Sequence, residues 1–255
     1  MTPDEKNLFA RMEDLKKAAI KRDIPCFSDF LTPIEHSFVK NNRELNQNIS
    51  ITFFGGYEDS ERTIAMLSPL NYNFNEFNPL DNFPISALAL KYKIKGDAKI
   101  LSHRDILGAL MGLGLKREKL GDILDCVTPQ IILCSDNISG YIIQNFTKAG
   151  RVNFECSVVN SFEAPVQLPE MITATVASLR LDSIIAEGFS LSRTKAAEAI
   201  KHGIVYVNWT LTDSPSKDIK EGDNITMRGM GKIRLKEISG LSRKGRTFII
   251  IEKFG

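Results

Sequence analysis

Residues 190–210 read SLSRTKAAEAIKHGIVYVNWT. Ser192 suits a helix N-cap, the run to His202 suits a short helix, and Gly203 suits its stop. The strand I-V-Y-V-N follows at once. The stretch holds no catalytic pairing and no metal-ligand spacing. It does hold a helix N-terminus, whose unpaired N–H groups and partial positive charge attract anions. Ser192, Arg193 and Lys195 sit in that first turn, so a phosphate there meets backbone donors and two cations. Lys201 lies two turns further on, about 80° round the helix, and borders the same face. Asn208, at the strand end, offers a donor and an acceptor to a base edge or a 2′-hydroxyl.

Working outward, RLDSIIAEG (180–188) is a short helix with Leu181, Ile184 and Ile185 facing inward. Arg180 at its start adds a cation if the two helices pack side by side. WTLTDSPSKDIKEGD (209–223) is loop, and Lys217 within it joins the candidate RNA contacts. NITMRG is a strand, and KIRLKEISGLSRKGRTFIIIEKF a closing hairpin turning at SRKG. From Arg180 to Gly255 there are 14 Lys and Arg against 9 Asp and Glu, while the preceding 179 residues hold 19 against 22. A basic end on a mildly acidic body points to a polyanionic partner.

The rest of the chain divides before this segment. Residues 161–179 read as a linker with one strand, VQLPEMITATVA, near its end. In 81–160 the elements run in a recognisable order: strand ISALALKYKI, helix SHRDILGALMGLGL capped by Ser102, strands GDILDC and QIILCS, helix NISGYIIQNFTKAG ending at Gly150, and strand VNFECSVV. This β-α-β-β-α-β order is the ferredoxin-like pattern shared by many RNA-recognition modules. QIILCS has no aromatic and ISALALKYKI only Tyr92, so base stacking on this sheet is not expected. Residues 1–80 form an N-terminal α/β domain. It has helices at 4–23 and Pro33–Glu44, the latter capped by Thr32, then two strands around GGYEDSE and a loop at 71–84. The fold class is α+β and multi-domain.

A hydrophobic content of 43% and a charged content of 25% are those of an ordinary globular protein. No apolar run reaches transmembrane length, and the charged N-terminus lacks the features of a signal peptide. The protein is therefore expected in the cytoplasm, off the membrane. Cys26, Cys126, Cys134 and Cys156 form no C-x-x-C pair and read as reduced core thiols, not as a disulfide framework or a zinc site.

R-L-D, G-F-S-L-S-R-T-K-A-A-E-A-I-K-H-G, V-Y-V-N and G-D-x-I-x-x-R-G together resemble the RNA-binding domain named after ribosomal protein S-four, over residues 180–229. One departure stands out: that family usually has glycine after V-x-V-N, and here it is Trp209. F-L-T-P-I-E, F-F-G-G-Y-E-D-S-E-R and L-S-H-R-D-I-L-G-A-L-M-G-L-G-L-K-R-E-K-L-G-D-I extend the likeness to nearly the whole chain, which resembles the YlmH family of bacterial proteins. The resemblance implies an N-terminal domain, a central RNA-recognition-like domain and a C-terminal S-four-type domain. It also implies a non-enzymatic protein, without metal or cofactor, that binds rRNA of the large ribosomal subunit in ribosome-associated quality control. tRNA is a further candidate partner, and a monomer is expected. Alternatives are an RNA-modifying enzyme targeted by the S-four domain and a cell-division adaptor. The first is weakened because residues 1–160 show no methyltransferase glycine loop and no synthase motif in context.

Three features invite other readings. R-L-D is similar to a catalytic motif of pseudouridine synthases, but here it opens the S-four helix, where Asp182 fits a carboxylate favoured by the helix dipole. GALMGLG lies within and after a helix, not between a strand and a helix, so it is no dinucleotide fingerprint. Ser102-His-Arg-Asp reads as a cap with a charged surface. His103, Arg104, Lys116, Arg117 and Lys119 flank one helix and form a candidate auxiliary basic patch. His36 has no partner that the sequence names.

Overall fold

Both N-terminal helices begin with the cap their sequence encodes. Helix α1 (Pro3–Arg22) and helix α2 (Pro33–Asn41) each open with a capping box, Thr2 with Glu5 and Thr32 with Glu35. Helix α2 stops three residues short of Glu44. A strand that the sequence analysis passed over, β1 (Cys26–Leu31), lies between them. It pairs with β3 (Thr63–Ser68), which also pairs with β2 (Ser50–Phe54), in a sheet ordered β1-β3-β2. The computed structural model describes residues 1–72, 82–93, 101–125, 127–164, 169–242 and 245–254, in two compact units, Met1–Pro165 and Val166–Gly255. Most of the loop read at 71–84 lies outside the described residues.

The second sheet of the first unit contains β4 (Ile85–Tyr92), β5 (Leu120–Leu124), β6 (Gln130–Ser135) and β8 (Val152–Val159), with the two-residue β7 (Lys148–Ala149) at its edge. Its order is β5-β6-β4-β8-β7, and its pairings are antiparallel. Helix α3 (His103–Gly112) follows β4 and helix α4 (Asp136–Asn145) follows β6. Helix α4 does not run to Gly150. It ends at Asn145, and Gly150, at φ 57°, sits instead in the two-residue turn between β7 and β8.

Strand alternation shows how the layers stack. Leu88, Leu90, Ile132 and Cys134 face α3 and α4. Ala87, Ala89, Ile131 and Leu133 face the other way and pack with Phe30, Ile64 and Met66 of the first sheet. Ala65 and Leu67, on the far side of β3, pack against Leu8 and Met12 of α1. Strands buried on both faces read as unbroken apolar runs, as ISALALKY and QIILCS do. Gly121 marks the closest approach: a Cβ there would lie 2.7 Å from the Phe30 ring and 3.0 Å from Leu133.

The same junction holds the polar motifs. Asp122 accepts from the Tyr57 hydroxyl at 2.9 Å, Glu61 N at 2.7 Å and Arg62 N at 3.2 Å. Arg62 donates to Leu120 O and Phe30 O, both at 3.0 Å. The run F-F-G-G-Y-E-D-S-E-R and the L-G-D-I end of the central helix motif are thus two halves of one inter-sheet clasp.

The second unit has one six-stranded antiparallel sheet with two helices on one face. Its strands are β9 (Glu170–Val176), β10 (Val205–Val207), β11 (Thr210–Leu211), β12 (Asn224–Met227), β13 (Gly231–Leu241) and β14 (Thr247–Phe254), in the order β11-β10-β12-β13-β14-β9. The strand expected within 166–177 is β9, and it lines β14. The SRKG turn falls partly outside the described residues. Helices α5 (Leu181–Gly188) and α6 (Arg193–Lys201) cover the face formed by Val205, Val207, Ile225, Met227, Ile233 and Leu235.

Cys26, Cys134 and Cys156 are free thiols, and Cys126 lies outside the described residues. Burial pushes the Cys156 thiol up to about 12 and Cys134 higher still. Among the described residues no cluster of His, Cys, Asp or Glu could hold a metal ion, and no helix is long and apolar enough to cross a membrane.

Candidate nucleic-acid interface

Asp182 organises the basic end. It lies in the first turn of α5 with its side chain only 8% exposed. Arg180 donates Nε and Nη2 to its two oxygens, each at 3.1 Å, and Arg193 donates Nη2 to Oδ2 at 3.0 Å. Burial alone would raise the Asp182 carboxyl. The hydrogen bonds from Arg180 and Arg193 outweigh it and hold the group below its ordinary value. The Arg180 and Arg193 side chains stay 42% and 56% exposed. Asp182 is therefore more than a helix-start carboxylate. It is a buried anchor that fixes two cations in one orientation at the surface.

The loop before β12 completes this corner. Leu181 N donates to Lys217 O at 2.8 Å and Asp182 N to Pro215 O at 3.1 Å. The first amides of α5 are thereby taken by protein carbonyls and not left for a phosphate. The same contacts bring Lys217 beside Arg180, which forms an isolated β-bridge with Asp218.

At α6 the expected cap is present: Ser192 Oγ accepts from Lys195 N at 3.2 Å. That amide and that oxygen serve the helix. Lys195 is exposed in the same first turn as Arg193, and Lys201 is exposed in the last turn, roughly 12 Å along the axis from Arg193.

Asn208 is differently placed from the expectation. Its Nδ2 donates to Asp223 Oδ1 at 2.8 Å and its Oδ1 accepts from Asn224 N at 2.9 Å. The amide expected to read a base edge is thus engaged in tying the β10–β11 turn to the start of β12. Asn208 and Trp209, at φ 49° and 60°, are the two central residues of that turn. Both are left-handed, the requirement of a type I′ turn, which explains the glycine usual after V-x-V-N.

The five cations flanking α3 are not gathered into one patch. Arg117 is half-buried and donates Nη1 to Leu120 O at 2.6 Å and Gly121 O at 3.1 Å. Burial, followed by the neighbouring Arg62, lowers it to about 10. Lys119 pairs with Asp29 at 2.5 Å. Both support the inter-sheet clasp. His103 and Arg104 are exposed at the start of α3 and Lys116 lies four residues past its end, with a helix roughly 15 Å long between them. The capping box of Ser102 with Asp105 is present.

Sequence reasoning missed the clasping role of Asp182, and it missed Arg228, Lys232, Arg234 and Lys236 on the sheet. For the last three a signal existed: in K-I-R-L-K the cations recur every second residue, which puts them on one face of a strand.

Known proteins resemble parts of both units. Residues 79–163 match a family model described as "Putative RNA-binding domain in YlmH", and residues 179–225 match one described as "S4 domain". The chain is 32% identical over 228 residues to the "Ribosome-associated protein quality control protein P2" of Bacillus subtilis (strain 168), covering 89% of this chain and 86% of that protein. It is 44% identical over 54 residues to the "Small ribosomal subunit protein uS4" of Dehalococcoides mccartyi (strain CBDB1), covering 21% of this chain and 26% of that one. The solved structure titled "Cell division protein ylmH from Streptococcus pneumoniae" superposes with a TM-score of 0.50 at 19% identity, over 62% of this chain and 93% of that one, a likeness of fold.

Proposed function

The chain belongs to the YlmH family, and on that premise we propose that it is a ribosome-associated RNA-binding protein that grips rRNA of the large subunit through the α5–α6 corner. The observation that carries this is the Asp182 clasp. A buried carboxylate that orients two exposed arginine side chains, with Lys195 in the same helical turn as Arg193 and Lys217 next to Arg180, suits a pair of neighbouring phosphates. Four or five such contacts supply useful affinity and little sequence preference, so a folded RNA shape is the target. Peptidyl-tRNA on the same subunit is a second contact in this reading, in line with the quality-control name of the Bacillus relative.

We assign 1–80 and 81–160 to a supporting body, and 180–255, together with strand β9 from the expected 161–179 linker, to binding. The strand order of the central sheet supports a ferredoxin-like assignment. Its face away from the helices is covered by Phe30, Ile64 and Met66, which supports a central domain that does not stack bases on its sheet. Both matched family models describe RNA-binding domains, which favours a binding role over a catalytic one.

Sedimentation of lysate through sucrose gradients at low and high salt tests the proposal. Wild type should travel with large subunits at low salt and be released at high salt, and Arg193→Glu with Lys195→Glu should abolish co-migration. Unchanged co-migration of that double variant would overturn the assignment of the corner.

A further inference from the structure

The sheet of the second unit has another face, opposite α5 and α6. Pairing places Tyr206 beside Thr226, Thr226 beside Lys232, and Lys232 beside Phe254, a row across four strands. At about 4.8 Å per strand it spans roughly 14 Å. Trp209 reaches the row from the β10–β11 turn. Each ring lies near a cation: the Arg228 guanidinium carbon is 5.2 Å from the Tyr206 centroid, Lys232 Nζ is 5.8 Å from that of Trp209 and 4.9 Å from that of Phe254, and the Arg234 carbon is 5.8 Å from that of Phe254. Beneath them Glu252, 6% exposed, holds Arg234 Nε at 2.7 Å and Lys236 Nζ at 3.1 Å, the same device as the Asp182 clasp.

We propose that this face binds unpaired nucleotides of an RNA. The bases stack on Tyr206, Trp209 and Phe254, and the phosphates are met by Arg228, Lys232, Arg234 and Lys236. Three observations select RNA over an apolar protein partner. Each of the three rings lies 4.9–5.8 Å from a cation, which puts stacking surfaces and phosphate partners side by side. The acid of the neighbouring row, Glu252, is buried and neutralised by Arg234 and Lys236. Trp209 occupies a left-handed turn position that suits glycine, so its ring is kept there against the backbone preference. Lys232, Arg234, Lys236 and Phe254 lie beyond residues 179–225, where the S-four match ends. The proposal rests on the RNA-binding reading above but uses a different face of the unit.

Binding of a fluorescent twelve-nucleotide oligouridine to the full chain, with a twelve-base-pair RNA duplex for comparison, tests it. Trp209→Gly is the first variant, because glycine suits the turn and removes the ring without disturbing the fold; Tyr206→Leu is the second. Each should weaken the single strand about tenfold and the duplex less than twofold, with helix content and melting retained. Oligouridine substituted with 4-thiouridine should crosslink to peptides containing Trp209 or Phe254. Wild-type affinity for oligouridine in both variants, or no binding by the wild type, overturns the proposal. If Arg193→Glu with Lys195→Glu loses both RNAs while the sheet variants lose neither, the corner alone binds, and the proposed function stands without this face. If the sheet variants keep oligouridine but lose a salt-insensitive ribosome association, the face docks on protein, and the proposal also fails.

Discussion

Arg193 reaches from the first turn of α6 to Asp182 in the first turn of α5, with Nη2 at 3.0 Å from Oδ2. Arg180 holds the same carboxylate from the other side. Removing the acid should therefore weaken RNA binding even though it makes the surface more positive. Asp182→Asn is expected to lower affinity about three- to tenfold at 0.1 M salt, measured by fluorescence anisotropy with a structured rRNA fragment. A rise in affinity, as charge alone predicts, would show that orientation does not matter here.

The cations of the corner should appear in the salt dependence. Arg193→Ala, Lys195→Ala and Lys217→Ala should each reduce the slope of log K against log salt by about 0.7–0.9 if each neutralises one phosphate. Arg117→Ala and Lys119→Ala should leave the slope unchanged and lower the melting temperature instead, because those side chains serve the clasp.

His36 makes the first unit acid-sensitive. Its ring stacks on Phe53 with centroids 4.0 Å apart, and Nδ1 lies 3.0 Å from the Thr63 hydroxyl. Burial, helped by Lys40, lowers its pKa from 6.5 to about 4. The unfolded chain then takes up a proton that the folded chain refuses. Stability from the neutral ring is complete above pH 6.5, falls as pH drops toward 4, and levels off below that. His36→Phe should flatten this window in urea melts followed at different pH values. Asp182 and Glu252, both lowered, contribute stability to the second unit that is complete above the ordinary carboxylate range and lost only as pH falls through their own lower values. Acid should thus weaken the first unit before the second.

Asp122→Ala should cost the first unit about 3 kcal/mol, since it strands the Tyr57 hydroxyl and two amides that it satisfies across the sheets. Gly121→Ala should cost about 1–3 kcal/mol by overpacking against Phe30. Thermal melts of both variants check this, and RNA affinity at low temperature should be retained in each.

Local signals were legible in the chain. Thr2 with Glu5, Thr32 with Glu35 and Ser102 with Asp105 form capping boxes because every partner lies within three residues. The turn at Gly203 and the strands of the central sheet follow from equally short-range rules. The end of α4 was less legible: apolar residues up to Phe146 match a helical period, yet the chain leaves the helix at Asn145 to pair Ala149 with Val152. Strand β1, C-F-S-D-F-L, was missed because Ser28 and Asp29 break its apolar run. Asp29 is satisfied by Lys119, ninety residues away.

What the sequence determined by itself is most of the elements and the basic character of the last 76 residues, because caps, turns and charge are properties of neighbouring residues. The tertiary structure alone decided what each polar group does once those elements pack. It turned Asp182 from a helix-start acid into the anchor of two arginines, tied the amide of Asn208 to the start of β12, and buried the central sheet against β1-β3-β2. The physical reason is range. A side chain's partner across a packed interface is set by the geometry of whole elements, and apolar patterning says that a face is buried without saying against what.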